Sequence, residues 1–420
     1  MRYSHISVAI PALAESANLP HLVESLMCQT IKDFDVYICV NNPESWRSSD
    51  DEKVHNIYLD NQLSLDYLHH VAVSLPQLHI IDCSSPTRGW LGKKHGVGWA
   101  RKTIMDAIIR DHDDNELVVS LDADTDFDEK YLESVLNAMN SHSDCDAFAV
   151  PYYHPLCGIE ETDRAMLRYE IYMRHYLVNM LAIKHRLSVL YASQYGIYNT
   201  DFPYAFTALG SAMVFSLWAY RRVGGYTPLQ GGEDFYLMQK FAKTGRMLLS
   251  CNEVVRPQGR VSSRVPFGTG PAIAKGVDSM EDSYPLYPHE AFEAIAETYT
   301  LFPRLYEENV DTPMTAFLCS QLKTDDLWQP LRKNFKSCDL FVHACQERVD
   351  GLRILQFLKY YREQMTSQPS SAKELQYCCN NHGISVSDDF DFASSSIESI
   401  NAVRDSLFAL EMTLRGSVGD

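Results

Sequence analysis

Positive charge is scarce in this chain: 37 Lys and Arg stand against 55 Asp and Glu, a formal net charge of −18. That balance excludes a general affinity for nucleic acid or for an anionic lipid surface. It leaves room for a small anionic ligand, because a few local Lys and Arg side chains can hold a diphosphate inside an acidic protein. Closely spaced cysteines are also missing. The 11 Cys are odd in number and scattered, with Cys378 and Cys379 adjacent and no two-residue-spaced pair of the kind that makes a zinc site. Nor is there an apolar run fit to cross a bilayer, since the most apolar long segment, 169–191, carries Arg174, His175, Lys184, His185 and Arg186. No stretch at the start resembles a signal peptide. These absences predict a soluble, cytoplasmic, thiol-reduced protein with no transmembrane segment and no nucleic-acid partner.

What is present reads as a globular chain of 420 residues, 45% hydrophobic and 22% charged, long enough for two domains. The first 150 residues alternate strand and helix signals. Apolar β-rich runs occupy 5–10, 34–40, 78–82 and 117–121, the second closed by Asn41-Asn42-Pro43. Between them, Leu19, Leu22, Val23, Leu26 and Met27 fall on one helical face after Asn18, and 97–109 is helical in period. Strands of this kind, separated by helices, predict an α/β domain with a doubly wound, mostly parallel sheet flanked by helices, whose ligands sit at the carboxyl ends of the strands. A long helix is expected over 163–187, and another over 233–243, opened by Gly231-Gly232 and ended by Gly245. The segment 256–288 is rich in Pro, Gly and Ser. Beyond it the texture turns helical, with Ile397, Ile400, Val403, Leu407, Leu410 and Leu414 stepping by three or four. The expected division is therefore a first domain over 1–288 and a mainly helical C-terminal module over 289–420.

The sharpest chemical signal is Asp122-Ala123-Asp124, directly after the apolar strand 117–121. Residues two apart in an extended chain project to the same side, roughly 7 Å apart at about 3.3 Å per residue. Two carboxylates so placed can hold a hard divalent cation, Mg2+ or Mn2+, while diphosphate oxygens fill its other positions. Aspartates after a strand also cap turns. Residues 90–102 (WLGKKHGVGWARK) put Lys93, Lys94 and Arg101 among three glycines ahead of a helix, a pattern suited to phosphate as well as to a solvated loop. Residues 260–270 repeat the look, with Arg260 and Arg264 flanking two serines, and read either as a closing loop or as a linker. His5, His21, His95 and His289 are isolated in sequence and read as packed or surface histidines.

Over roughly 5–270 the chain resembles a family-2 glycosyltransferase of the GT-A fold. The resemblance rests on four features in order: Ile10-Pro11 followed by Glu15 and Asn18, Gly96 with Ala100-Arg101, Asp122-Ala123-Asp124, and Gly224-Gly225-Tyr226 followed by Gly232-Glu233-Asp234. It implies a metal-dependent transferase that moves a sugar from a nucleotide-sugar donor to an acceptor hydroxyl. In such an enzyme Pro11 and Glu15 lie at the donor's base and ribose, Lys94, Arg101, Asp122 and Arg264 near its diphosphate, and Asp122 and Asp124 at the metal. Asp234 is then the base of an inverting displacement, with Glu233 orienting the acceptor or the loop. A saccharide or a lipid-linked molecule is the acceptor class implied, with peripheral membrane contact and homo-oligomer assembly left open. Trp218 and Tyr226 are aromatic candidates for stacking on an acceptor sugar.

One departure bears on the donor. Where the family's second strand ends in paired aspartates, this chain has Asn41-Asn42. An amide offers an acceptor and two donors and so matches the N3–H and O4 edge of uracil, whereas the adjacent donors of guanine suit a carboxylate. A UDP-sugar is the donor this favours, although the same residues also make a plain turn. The competing readings are a retaining transferase, a non-catalytic binder of a nucleotide-sugar or glycan, and a sugar nucleotidyltransferase. The last would need a Gly-rich loop where Pro11-Ala12-Leu13-Ala14 stands.

Overall fold

Strand β1, Ile6–Ala12, forms from the apolar run ending at Pro11, and all its residues except Pro11 are buried. A computed structural model describes residues 2–92, 95–142, 144–198, 202–249, 252–261, 268–278, 283–367 and 369–419. After β1 come α1 (Leu19–Met27), β2 (Phe34–Asn41), α2 (Glu52–Ala72), β3 (Leu78–Cys83), α3 (Val97–Asp111) and β4 (Leu117–Ser120). The short β5 (Thr125–Asp126), α4 (Tyr131–Ser141), β6 (Cys145–Ala149) and the long α5 (Glu160–Leu190) follow. Then come β7 (Met213–Ser216), α6 (Leu217–Arg222), α7 (Glu233–Thr244), β8 (Arg246–Leu248), β9 (Arg256–Pro257) and α8 (Thr269–Asp278).

Seven strands make one sheet in the order β3-β2-β1-β4-β7-β6-β8. β1 runs parallel to β2 and β4, β2 to β3, and β6 to β8, while β7 is antiparallel to both of its neighbours. Its period-two alternation explains the helices on both faces. Ile6, Val8 and Ile10, with Val36, Ile38 and Val40, share one core with Leu22 and Leu26 of α1, Leu65 and Leu68 of α2, and Leu132 and Val135 of α4. On the other side α3 packs on β1 and β2, and Tyr37 of β2 donates to Asp111 at the end of α3. The structure thus has the α/β architecture expected: a doubly wound, mostly parallel sheet flanked by helices, with a helical C-terminal region.

From β1 the chain passes to β2 on one side and later to β4 on the other. The strand order therefore reverses between β1 and β4, and a crevice opens beyond their carboxyl ends. Leu121-Asp122 leaves β4 at that point. β5 pairs antiparallel with β9, which brings 256–260 beside the same loop.

The chain divides into two compact units, Met1–Met166 with Ala208–Lys275, and Leu167–Thr207 with Gly276–Asp420. The expected single cut after 288 differs from this, because residues 167–207 pack with the C-terminal ones. Periodicity reveals that a helix has an apolar face, not which segment covers it. The second unit is helical, from His289–Thr300 to Ile397–Gly419. Its core holds charge as well as hydrocarbon: Arg174, Arg404 and Arg415 are fully buried with Glu170 and Glu411. Glu170 accepts from Arg174 Nε at 3.1 Å and from Arg404 Nη1 at 3.1 Å, and Glu411 accepts from Arg415 Nε at 2.7 Å and from Arg174 Nη1. Among the described residues no helix is long and apolar enough to cross a membrane.

Candidate active site

At the end of β1 the chain turns through Ala14, whose φ of 54° lies in the left-handed region. A non-glycine residue keeps that conformation only when its surroundings hold it. Here the holder is Asn61 of α2, fully buried, whose Oδ1 accepts from Ala14 N at 2.9 Å. The same side chain donates to Asn41 O at 3.0 Å and Asn42 Oδ1 at 2.9 Å, so one amide ties the β1 loop to the end of β2. Asn42 is consumed internally: its Oδ1 also accepts from Ser84 Oγ and its Nδ2 donates to Pro43 O. Asn41 and Asn42 both line the cleft, but the Asn42 amide is spent on these internal bonds, while no side-chain hydrogen bond of Asn41 occurs among the described residues.

Asp122 and Asp124 emerge from β4 into the crevice, each held by an arginine. Arg101 of α3, 3% exposed, donates to Ser120 Oγ at 2.5 Å, to Asp122 Oδ1 at 2.6 Å and to Glu233 Oε1 at 3.1 Å. Its guanidinium lies so close to the backbone of Gly210 that a Cβ there would meet Nη2 at 2.1 Å. Arg101 was expected to reach a diphosphate. Its bonds instead join the acidic pair after β4 to the acidic pair at the start of α7.

Gly96 and Gly98 differ from expectation in the same direction. A Cβ on Gly98 would sit 2.5 Å from Leu229 O, and one on Gly96 would sit 2.7 Å from Gln230 O. These glycines admit the backbone of 229–230 and so seat the turn that starts α7. That turn needs Gly232, whose φ is +77°. Glu233 and Asp234 then open the helix as the sequence predicted.

The second arginine is Arg260, delivered by β9. Gln258 N donates to Asp124 O at 3.1 Å, and Arg260 Nη2 lies 2.6 Å from Glu15 Oε1 and 2.7 Å from Asp124 Oδ2. Glu15, expected at a ribose, is thus ion-paired in this structure. Asn18 Nδ2 donates to its other oxygen at 2.5 Å.

These groups line one cleft of about 820 Å3, with Pro11, Glu15, Asn41, Asp122, Asp124, Glu233 and Asp234 on its walls. Among the described lining residues five carboxylates, Glu15, Asp122, Asp124, Glu233 and Asp234, face two guanidinium groups, Arg101 and Arg260. The crowding shows in the protonation equilibria. Burial pushes Asp124 up to about 6, with the charges of Asp122 and Glu15 adding and Arg260 opposing. Burial and then the charge of Glu233 push the half-buried Asp234 up to about 7, and its Oδ1 accepts from Phe235 N at 2.7 Å.

The surplus of negative charge, with one oxygen of Asp122 and one of Asp124 outside the arginine bonds described, suits a hard divalent cation that shares its remaining positions with a diphosphate. Lys93, Lys94 and Arg264 lie outside the described residues. Trp218 and Tyr226 do not serve the cleft. Tyr226 is buried against Phe215 and Tyr220, and Trp218, 37% exposed, stacks under Arg2 and Arg222. Trp46 is instead the tryptophan on the cleft wall. Sequence reasoning missed it, as it missed Asn61, because a lone Trp or Asn carries no pattern.

No model of a known protein family matches the chain, and no curated protein does. Among solved structures the chain is similar to Staphylococcus aureus TarS 1–349 in complex with UDP-GlcNAc, at 12% identity over 99% of this chain and 91% of that one, with a TM-score of 0.40. The same TarS segment in a second structure gives 11% identity, the same coverage and a TM-score of 0.39. A mannosyltransferase from Pyrobaculum calidifontis in complex with GDP-Man and Mn2+ is 11% identical over 96% of this chain and 85% of that one, with a TM-score of 0.35.

Proposed function

We propose that this chain is a glycosyltransferase that carries a sugar from a nucleotide-sugar, a UDP-sugar by preference, to an acceptor hydroxyl with inversion at the anomeric carbon. The observation that carries the reading is the meeting of two acidic pairs, Asp122 with Asp124 and Glu233 with Asp234, on one cleft at the point where the strand order reverses.

Asp122 and Asp124 are the residues that would hold Mg2+ or Mn2+, which when bound supplies positive charge to the diphosphate as it departs. The remaining chemistry belongs to the chain. An acceptor hydroxyl becomes a competent nucleophile when a positioned carboxylate takes its proton as attack develops, an effect typically of about 10²–10⁴-fold. Asp234 suits that task, since a base whose pKa lies near the working pH is both ionised and basic. Glu233 is bound to Arg101 and acts by position. Arg101 fixes Asp122 and Glu233 together, and Asn61 fixes the two loops that would frame the base and ribose. Asn41 supports the uracil preference through its donor and acceptor pair.

Calorimetric titration of the full chain with UDP, GDP, CDP and their sugar conjugates, with and without Mn2+, tests this reading. Binding of a UDP compound that strengthens with Mn2+ is expected. Absence of binding to every nucleotide in the presence of Mn2+ contradicts it.

A further inference from the structure

At the opposite end of the strands, where the parallel ones begin, three histidines gather, of which only His5 stands out in the sequence, and there as isolated. His5 precedes β1, His79 lies near the start of β3, and His112 follows α3. They surround Asp35, the second residue of β2, and Glu116, which immediately precedes β4.

The buried carboxylate of Glu116 faces His5 Nδ1 at 2.9 Å and His112 Nδ1 at 3.4 Å, and Ser7 Oγ donates to it at 2.6 Å. An ionised carboxylate only accepts, so it places the ring proton of His5 on Nδ1 and leaves a lone pair on its Nε2. The Nε2 atoms of both histidines lie on the side of Asp35. His112 Nε2 is 3.3 Å from Asp35 Oδ2, and His5 Nε2 is 3.8 Å from the same oxygen. The ligand atoms of His5, Asp35 and His112 all lie within 4.8 Å of one another.

With both Nε2 atoms unprotonated, two imidazole nitrogens and a carboxylate oxygen meet as three acceptors, whose repulsion a cation among them would compensate. We propose that His5 Nε2, His112 Nε2 and Asp35 Oδ2 form a site for a divalent transition metal of the Zn2+ class. Two imidazole nitrogens and one carboxylate oxygen are the donor set of such ions rather than of Mg2+ or Ca2+, with bond lengths of about 2.0–2.2 Å. Each ligand has the outer partner that metal sites use to fix orientation. Glu116 bonds the far nitrogen of His5 and faces that of His112, and His79 Nε2 lies 3.2 Å from Asp35 Oδ1. Tyr37 OH donates to Asp111 and so meets His112 Nε2 at 3.0 Å as an acceptor, and a metal ion at this nitrogen would take the place of its proton. The ligands are within reach of solvent, with side-chain exposures of 25%, 23% and 16% for His5, Asp35 and His112, so an ion has a way in. The fourth position is left to water. Such an ion would join the beginnings of β1 and β2 to the end of α3.

The test is a Co2+ titration of full-length, chelator-treated protein carrying Asp124→Asn, which weakens the proposed donor-site cation. One equivalent of Co2+ should give visible absorption of the tetrahedral type, displaced by Zn2+, and Zn2+ should raise the melting temperature. His112→Gln or Asp35→Asn should abolish both signals, with folding checked by circular dichroism. Glu116→Gln should keep the spectrum and weaken affinity by about 10–100-fold. A featureless titration overturns the proposal, as does binding that survives both His112→Gln and Asp35→Asn. Loss of the signals in His289→Gln instead would assign the ion to the His289, Glu290 and Glu374 group and would likewise overturn it.

Discussion

Arg101 and Glu233 lie 132 positions apart in sequence and form a buried ion pair, Nε to Oε1, at 3.1 Å. With the bond from the same guanidinium to Asp122, it ties together the loop after β4, α3 and the start of α7. Any displacement of Arg101 is therefore felt at both acidic pairs at once.

Gly210→Ala tests that linkage without touching an acidic residue. The new Cβ would sit 2.1 Å from Arg101 Nη2, so the guanidinium has to withdraw from Asp122. Overpacking of this kind typically costs about 1–3 kcal/mol of stability. Misplacement of catalytic groups by about 1 Å can lower transfer by about 10²-fold. Steady-state transfer assays beside a melting curve should show a folded protein with little activity. Full activity would mean that Arg101 does not position the site.

Asp124→Asn should separate binding from folding. A carboxyl raised to about 6 in the folded state contributes stability that is complete below its unfolded value of 3.8 and is lost as pH rises through about 6. The amide has no such loss. The variant is expected to melt at or above the parent at pH 7.5, with the gap closing near pH 4, while Mn2+-dependent nucleotide binding falls. A variant that melts well below the parent at pH 7.5 would assign Asp124 to structure alone.

How far the site was legible follows from these residues. Asp122-Ala123-Asp124 announced itself because it follows a strand with one polar residue, Ser120, and Gly232 marked the start of α7 because only glycine accepts its backbone angle cheaply. The partners did not show. Arg101 reads as a phosphate ligand in a basic, glycine-rich segment, and only the fold reveals that Gly98 admits Leu229 and Gly210 admits the guanidinium. Asn61 is brought to its partners by the packing of α2, and the cluster around Asp35 by the alignment of β1, β2, β3 and β4, across separations that no local spacing encodes. The helix ending in Ile397–Gly419 was read from its aliphatic stripe. Its buried face is Ile400, Val403 and Leu407 continued by Arg404, Glu411 and Arg415, because pairing lets charge occupy core positions.

That core charge supports a stability prediction. Glu411 accepts from both Arg174 and Arg415, and all three are buried. Removing it in Glu411→Ala leaves two guanidinium groups short of a partner, a loss of about 3–5 kcal/mol by analogy with other broken buried pairs. Urea unfolding followed by circular dichroism reads it directly. A loss below about 1 kcal/mol would show that water reaches this network.

The central claim is that Asp234 removes the acceptor proton, and Asp234→Asn measured against the parent tests it most directly. With the carboxyl near 7, the parent's transfer rate should rise with pH through about 7 and then level off, because only the ionised form is a base. In Asp234→Asn donor affinity should be unchanged, transfer should fall by about 10²–10⁴-fold, and the pH dependence should vanish. The parent's product should carry the opposite anomeric configuration to the donor. Near-normal turnover of Asp234→Asn, or a parent product of retained configuration, would contradict the account.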